Sequence, residues 1–208
     1  MKLSEMLEEL AYGELSDLSL AENGEIKPDS VPKIVIKLND VIQSLFTKYV
    51  IKTLDVDIDT TIKGYNYTIN SENAVKIVYI YPNLINEVDI YKNNDQFSVK
   101  GNTITFIKYP VANSFRVTYQ WKPSKLKINP AVSRFGDQII DLDSALVPLV
   151  KLLVASAIFS NMNGELHKKT GVELFNQAQI LQNDLELAGN LNIAVDFNNN
   201  RFRANGFT

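Results

Sequence analysis

Residues 115–122 read FRVTYQWK, and this stretch decides the fold. Phe115, Val117, Tyr119 and Trp121 alternate with Arg116, Thr118, Gln120 and Lys122. Successive side chains of a strand point to opposite faces, so strict alternation predicts a strand with one face buried and one solvated, as in antiparallel sheets. The same period of two recurs upstream. Leu54, Val56 and Ile58 alternate with Asp55, Asp57 and Asp59, and Tyr65, Tyr67 and Ile69 alternate with Asn66, Thr68 and Asn70. Between these lie the short apolar runs Ile77–Tyr81, Glu87–Tyr91, Phe97–Val99 and Thr103–Ile107, punctuated by the turn formers Asn93-Asn94-Asp95 and Gly101-Asn102. About seven short strands with no helix between them predict a small sandwich or barrel over residues 52–122.

Both flanks read differently. Leu3, Met6, Leu7 and Leu10 recur at helical spacing, with Glu5, Glu8 and Glu9 on the other side, which predicts a short amphipathic helix to about Tyr12, broken at Gly13. Leu15, Leu18 and Leu20 read as a continuing turn of helix that Glu22-Asn23-Gly24 closes. Asp29-Ser30 followed by Pro32 is a helix-entry signal, and Leu38, Val41, Ile42, Leu45 and Tyr49 mark one apolar face of a helix ending near Tyr49. After the strands, Asp141, Asp143 and Ser144 offer caps, and Pro148 fits only in a first turn. Leu149 to Phe159 is apolar nearly all round, so that helix is expected to be buried on most sides. Asn161 to Gly164 breaks it, and Glu165 to Ala188 continues as a helix with Leu174, Gln177/Ala178, Leu181 and Leu185 on one stripe, a helical hairpin. The order helix, strands, helix predicts class α+β. It divides into a discontinuous helical bundle domain (1–51 and 123–189), a β-sandwich domain (52–122) and an extended C-terminal arm (190–208).

The composition narrows the chemistry. At 208 residues the chain is long enough for a sizeable core, and 45% hydrophobic with 22% charged residues is ordinary globular composition. A net charge of −3 lowers the expectation of a phosphate-binding surface, which needs a clustered basic excess. The absence of cysteine removes disulfides, thiolate metal sites and cysteine nucleophiles, and is compatible with a reducing cytoplasm. The opening MKLSEMLEEL does not have the form of a signal peptide, and the longest apolar run, Ala145 to Phe159, is too short to span a bilayer. A soluble protein with no membrane association, made in the cytoplasm, is expected.

No segment is marked for catalysis. His167 is the only histidine and lies among Glu165, Lys168 and Lys169. Asp55, Asp57 and Asp59 resemble the opening of a calcium loop, but the required Gly and Glu positions hold Thr60 and Asn66, so a solvated acidic strand face is the better reading. Lys63-Gly64 and Lys100-Gly101 are isolated turns rather than a phosphate loop, and no Gly-x-Ser-x-Gly elbow or second histidine completes a serine triad. Acidic residues abound, yet nothing marks a glycosidase pair. Tyr65, Tyr67, Tyr79, Tyr81, Tyr91 and Trp121 are capable of stacking on a sugar, although aromatics at alternating strand positions are expected in a core. The reading is therefore no enzyme, with no catalytic, cofactor or metal residue. The tail is different: Phe197, Arg201, Phe202, Arg203 and Phe207 are of the types that anchor segments on partners, so they are the candidate partner-binding residues.

Three stretches carry a family resemblance: MKLSEMLEELAYGELSDLSL at the start, LNDVIQSLFTKYVIK leading into LDVDID, and IIDLDSALVPLVKLLVASAIF. Together they resemble head-to-tail adaptor (connector) proteins of short-tailed bacteriophages. The resemblance implies a non-enzymatic virion protein at the junction of neck and tail. It implies a homo-oligomeric ring, dodecameric to match the portal above it, with the helical part facing the portal protein and neighbouring copies. The β block would face the tail or further ring proteins, the arm would reach a neighbour or the portal, and genome DNA would pass through the lumen without sequence-specific binding. The alternative is a carbohydrate- or receptor-binding module, or another tail-completion component, built on the β-sandwich.

Overall fold

The computed structural model describes residues 1–16, 18, 20–59, 65–82, 97–106, 114–128 and 137–192. It is mixed helix and antiparallel sheet, class α+β. The chain divides into two compact units, one formed by Met1–Leu45 and Pro123–Leu191, the other by Phe46–Lys122 together with Asn192.

In the first unit, α1 (Leu3–Tyr12) buries Leu3, Met6, Leu7, Leu10 and Ala11, the expected stripe and one residue more. Its start is tied down: the Lys2 amide donates to Glu5 Oε2 at 2.7 Å, and the Leu3 amide donates to the Gln138 carbonyl at 2.8 Å. The turn of helix expected to run on to Leu20 and close at Glu22-Asn23-Gly24 is not what forms there. Ala21–Glu22 (β1) and Glu25–Ile26 (β2) pair as a tight antiparallel hairpin. Its two turn residues, Asn23 and Gly24, have φ of 53° and 79°. Two positive φ values are what a type I′ turn demands, and Asn-Gly is the pair that supplies them most easily. A Cβ on Gly24 would also lie 2.0 Å from Cζ of Tyr12, so the ring of an otherwise exposed tyrosine closes over the turn. Gly24→Ala is accordingly expected to destabilise the protein by about 1–2 kcal/mol, read as a lower urea midpoint, because it adds left-handed strain to a ring clash.

Helix α2 (Val31–Lys48) begins with Pro32 in its first turn, where the missing amide goes unmissed. It buries Val31, Ile34, Val35, Leu38, Ile42 and Leu45. Two of its amide side chains, one turn apart, hold the returning chain. Asn39 donates to the Leu126 carbonyl at 3.0 Å and accepts from the Leu126 amide at 2.8 Å, and Gln43 donates to the Pro123 carbonyl at 2.8 Å. A single 3₁₀ turn (Ser144–Leu146), capped by Asp143 accepting from the Ala145 amide, leads into α3 (Val147–Ser160) with Pro148 in its first turn. Leu149, Val150, Val154, Ala155, Ile158 and Phe159 are buried, so α3 is the central helix its all-round apolarity predicts. Asn161 to Gly164 turn the chain into α4 (Glu165–Leu187), which packs back on α3 through buried Gly171, Ala178 and Leu185. No described helix is long and apolar enough to cross a membrane.

The second unit holds two three-stranded antiparallel sheets. One has the order β3 (Thr53–Asp59), β8 (Ser114–Trp121), β5 (Ala74–Pro82), with β8 in the centre. The other has the order β4 (Asn66–Thr68), β7 (Thr103–Phe106), β6 (Phe97–Lys100). Ile69, Ile104 and Tyr67 from the second sheet share one hydrophobic cluster with Ile77, Ile80, Phe115, Val117 and Tyr119 from the first. Tyr67, Phe106 and Phe115 meet edge to face, with centroids 5.3–5.8 Å apart. Gly101, at φ 59°, opens the two-residue turn between β6 and β7. The expected strand Glu87–Tyr91 and the turn Asn93-Asn94-Asp95 lie outside the described residues.

Candidate functional site

The sequence leaves α4 as a helix of modest apolar content, and the fold shows how that content is divided. Gly171, Ala178 and Leu185, seven residues apart, bury themselves against α3, flanked by half-buried Leu174 and Leu181. The approach is close because it needs a glycine. A Cβ on Gly171 would lie 2.7 Å from Ser160 Oγ, 3.0 Å from the Ser160 amide nitrogen and 3.2 Å from the Ser156 carbonyl. Ser156 Oγ, itself buried, donates to the Gly171 carbonyl at 2.8 Å and locks the pair.

The far side of α4 carries a second apolar set. Val172, Ile180 and Leu187 are 57%, 64% and 87% exposed, separated along the stripe by exposed Asn176 and Asn183. Leu166 and Phe175 flank it, also exposed. Covering a Val, Ile or Leu side chain is worth roughly 1.5–3 kcal/mol, so several on one helix face constitute a surface that gains from a partner.

His167, near the start of α4, lies with its ring 6.0 Å from that of Phe159, half-buried, and serves as an aromatic packing residue of the hairpin. Lys151, which interrupts the apolar run of α3, sits 3.3 Å from Glu9 Oε2 and 3.7 Å from Glu14 Oε1, with both it and Glu14 under 20% exposed. This triad ties the end of α1 to α3 and satisfies the one charge in that run.

In the β unit the acidic stripe is not a bare face. Antiparallel register sets Asp57 against Arg116 and Asp55 against Thr118. Arg116 grips Asp57 with two bonds, Nε to Oδ1 at 2.9 Å and a terminal nitrogen to Oδ2 at 3.2 Å, and Thr118 Oγ1 donates to Asp55 Oδ1 at 2.6 Å. The carboxylate of Asp57 holds the Arg116 proton more firmly than usual, chiefly through that hydrogen bond. Both partners are half in water, so the pair contributes register more than stability. Among the described residues no three His, Asp or Glu side chains cluster as a cation site.

The aromatics divide. Tyr67 is in the core as expected, and half-buried Trp121 packs edge-on to Phe46 at 6.2 Å with Lys52 Nζ over its ring at 4.6 Å. Tyr65 and Tyr79 depart from the core expectation, at 45% and 38% exposed, because β4 is short and β5 turns Tyr79 to the face it shares with Thr118. Tyr91 and the side chain of Tyr81 lie outside what is described, as do all five candidate partner-binding residues, Phe197, Arg201, Phe202, Arg203 and Phe207. The exposed stripe of α4 is the feature that sequence reading passed over. Its signal was Val172, Ile180 and Leu187 recurring on the side opposite Leu174, Ala178 and Leu185.

No protein-family model matches the chain, and no curated protein matches it.

Proposed function

We propose that this protein is a structural subunit of a phage head-to-tail connector, a homo-oligomeric ring set beneath a portal. In this reading the helical unit meets the portal protein and neighbouring copies, the β unit adopts a sandwich directed toward the tail, and DNA passes through the lumen without base-specific contact. The ring has twelve copies in keeping with a portal, works at the neck of the virion, and has no enzymatic activity or cofactor. The observation that carries the proposal is the exposed stripe Val172, Ile180 and Leu187 on a helix whose opposite face is already packed. A subunit of an assembly needs apolar surface that its own fold does not cover. The three stretches that resemble short-tailed-phage adaptors agree with it, two of them lying in the helical unit.

The test is electron microscopy of the purified protein mixed with portal protein. Rings or portal complexes are expected; their absence across concentrations would remove the proposal. Val172→Glu with Ile180→Glu is expected to reduce complex formation at least tenfold while leaving the circular dichroism spectrum and urea midpoint nearly unchanged, since both side chains are exposed. A second reading, recognition of a carbohydrate or receptor by the β unit, draws on exposed Tyr65 and Tyr79. Glycan binding without any portal complex, lost in Tyr79→Ala, would favour it instead.

A further inference from the structure

Strand β3 ends its sheet among the described residues, and its backbone has an orientation that can be read. The Trp121 amide donates to the Lys52 carbonyl at 2.9 Å, and the register then makes Leu54, Val56 and Ile58 the residues whose main-chain groups bond to β8. The main-chain groups of Thr53, Asp55, Asp57 and Asp59 therefore point to the outer edge. An edge of this kind is a template for another strand. Its two faces state what that strand should be. One face presents Asp55, Asp57 and Asp59, and the other presents Val56 and Ile58, half-buried against the core cluster. The complement is a strand with basic residues two apart and a large apolar residue between them.

The chain carries that pattern once, at Arg201-Phe202-Arg203. Its route also starts in the right place. The Val50 amide donates to the Asn192 carbonyl at 2.7 Å, so the chain leaves its last described residue three positions before β3 begins. From Asn192 to Arg201 the chain spans at most about 30 Å, more than the roughly 23 Å length of a seven-residue strand. The sheet already uses the same chemistry on its inner side, where Arg116 of β8 grips Asp57.

We infer that, in the isolated subunit, the segment around Arg201-Phe202-Arg203 adds to the outer edge of its own β3, with the arginines on the aspartate face and Phe202 beside Val56 and Ile58. The occupant is this chain's own C-terminal arm, and the inference does not depend on the connector reading.

Residue-resolved hydrogen exchange on the full chain tests it. The amides of Thr53, Asp55, Asp57 and Asp59 are expected to be protected, and the protection to fall at least tenfold in Arg201→Glu with Arg203→Glu. The amides of Leu54, Val56 and Ile58, bonded to β8, should keep theirs and serve as the folding control. A chain ending at Asn192 should show the same selective loss, and Asp55→Arg with Asp59→Arg added to the reversed arm should restore protection. Outer-edge amides that exchange freely in the full chain, or equally in all variants, overturn the inference. Protection that disappears on dilution also overturns it, because the arm would then belong to a second copy.

Discussion

Replacing Gln120 with methionine is expected to destabilise the protein by about 3 kcal/mol, more than any other single change of equal size on β8. Gln120 is fully buried at the centre of a sheet, a place where amides are rare. Its Nε2 donates to the Tyr49 carbonyl at 2.7 Å and to the Phe46 carbonyl as well. Both acceptors lie at the C-terminal end of α2, where backbone carbonyls have run out of helical partners. One side chain thus satisfies two otherwise stranded groups in the dry interior of the β unit. Methionine keeps the length and fills the space but donates nothing. Each buried acceptor left unmade costs about 1–3 kcal/mol, so the two together set the expected magnitude. Gln120→Glu should be worse, since a carboxylate facing two carbonyls adds repulsion to the lost bonds. Trp121 is the only tryptophan and packs on Phe46, so its fluorescence in a urea titration reads the event directly. A midpoint for the methionine variant within error of wild type would show that these carbonyls find other donors.

Gly171→Val is expected to cost about 3 kcal/mol and to loosen the α3–α4 hairpin. Against the new side chain stand the backbone nitrogen of Ser160 and the carbonyl of Ser156, neither of which can move without moving α3. The Ser156 hydroxyl would also lose its grip on the Gly171 carbonyl. Gly171→Ala sets two effects against each other. Alanine gains about 1 kcal/mol of helix propensity over glycine, but its Cβ meets the same atoms at 2.7–3.2 Å. Overpacking of this kind costs about 1–3 kcal/mol, so the net loss for alanine should be about 1 kcal/mol. Thermal unfolding of the two variants beside Ser156→Ala separates the terms. An alanine variant more stable than wild type would mean that the helices part without strain.

These two positions show where reading from the sequence stops. Alternation along residues 115–122 placed Gln120 on the polar side of a strand, opposite the buried set Phe115, Val117 and Tyr119. That side is solvated at Arg116 and dry at Gln120, because the end of α2 covers one part of it and not the other. Periodicity reports which face a residue is on, and says nothing about what lies over that face. Gly171 is similar. In the sequence it is a helix-weakening residue within Glu165–Leu187, and only the approach of α3 explains why nothing larger fits. The Asn23-Gly24 turn, by contrast, was legible in principle. Asn-Gly between short extended segments is a strong hairpin signal, and the leucines Leu15, Leu18 and Leu20 drew the reading toward helix instead.

By itself the sequence determined the class, the order of the elements and most of their ends. Period two over 54–59 and 115–121, a proline in the first turn of α2 and of α3, and the break at Asn161–Gly164 are local signals, set by which faces the backbone repeats toward a core. Tertiary structure decided what those faces meet. It set Arg116 against Asp57, turned Gln120 into the cap of a helix 71 residues earlier in the chain, and left one stripe of α4 in solvent while burying the other. Such pairings join residues far apart in the chain. Their free energy comes from desolvation and close packing, which depend on what arrives from elsewhere in the fold and so leave no local period to read.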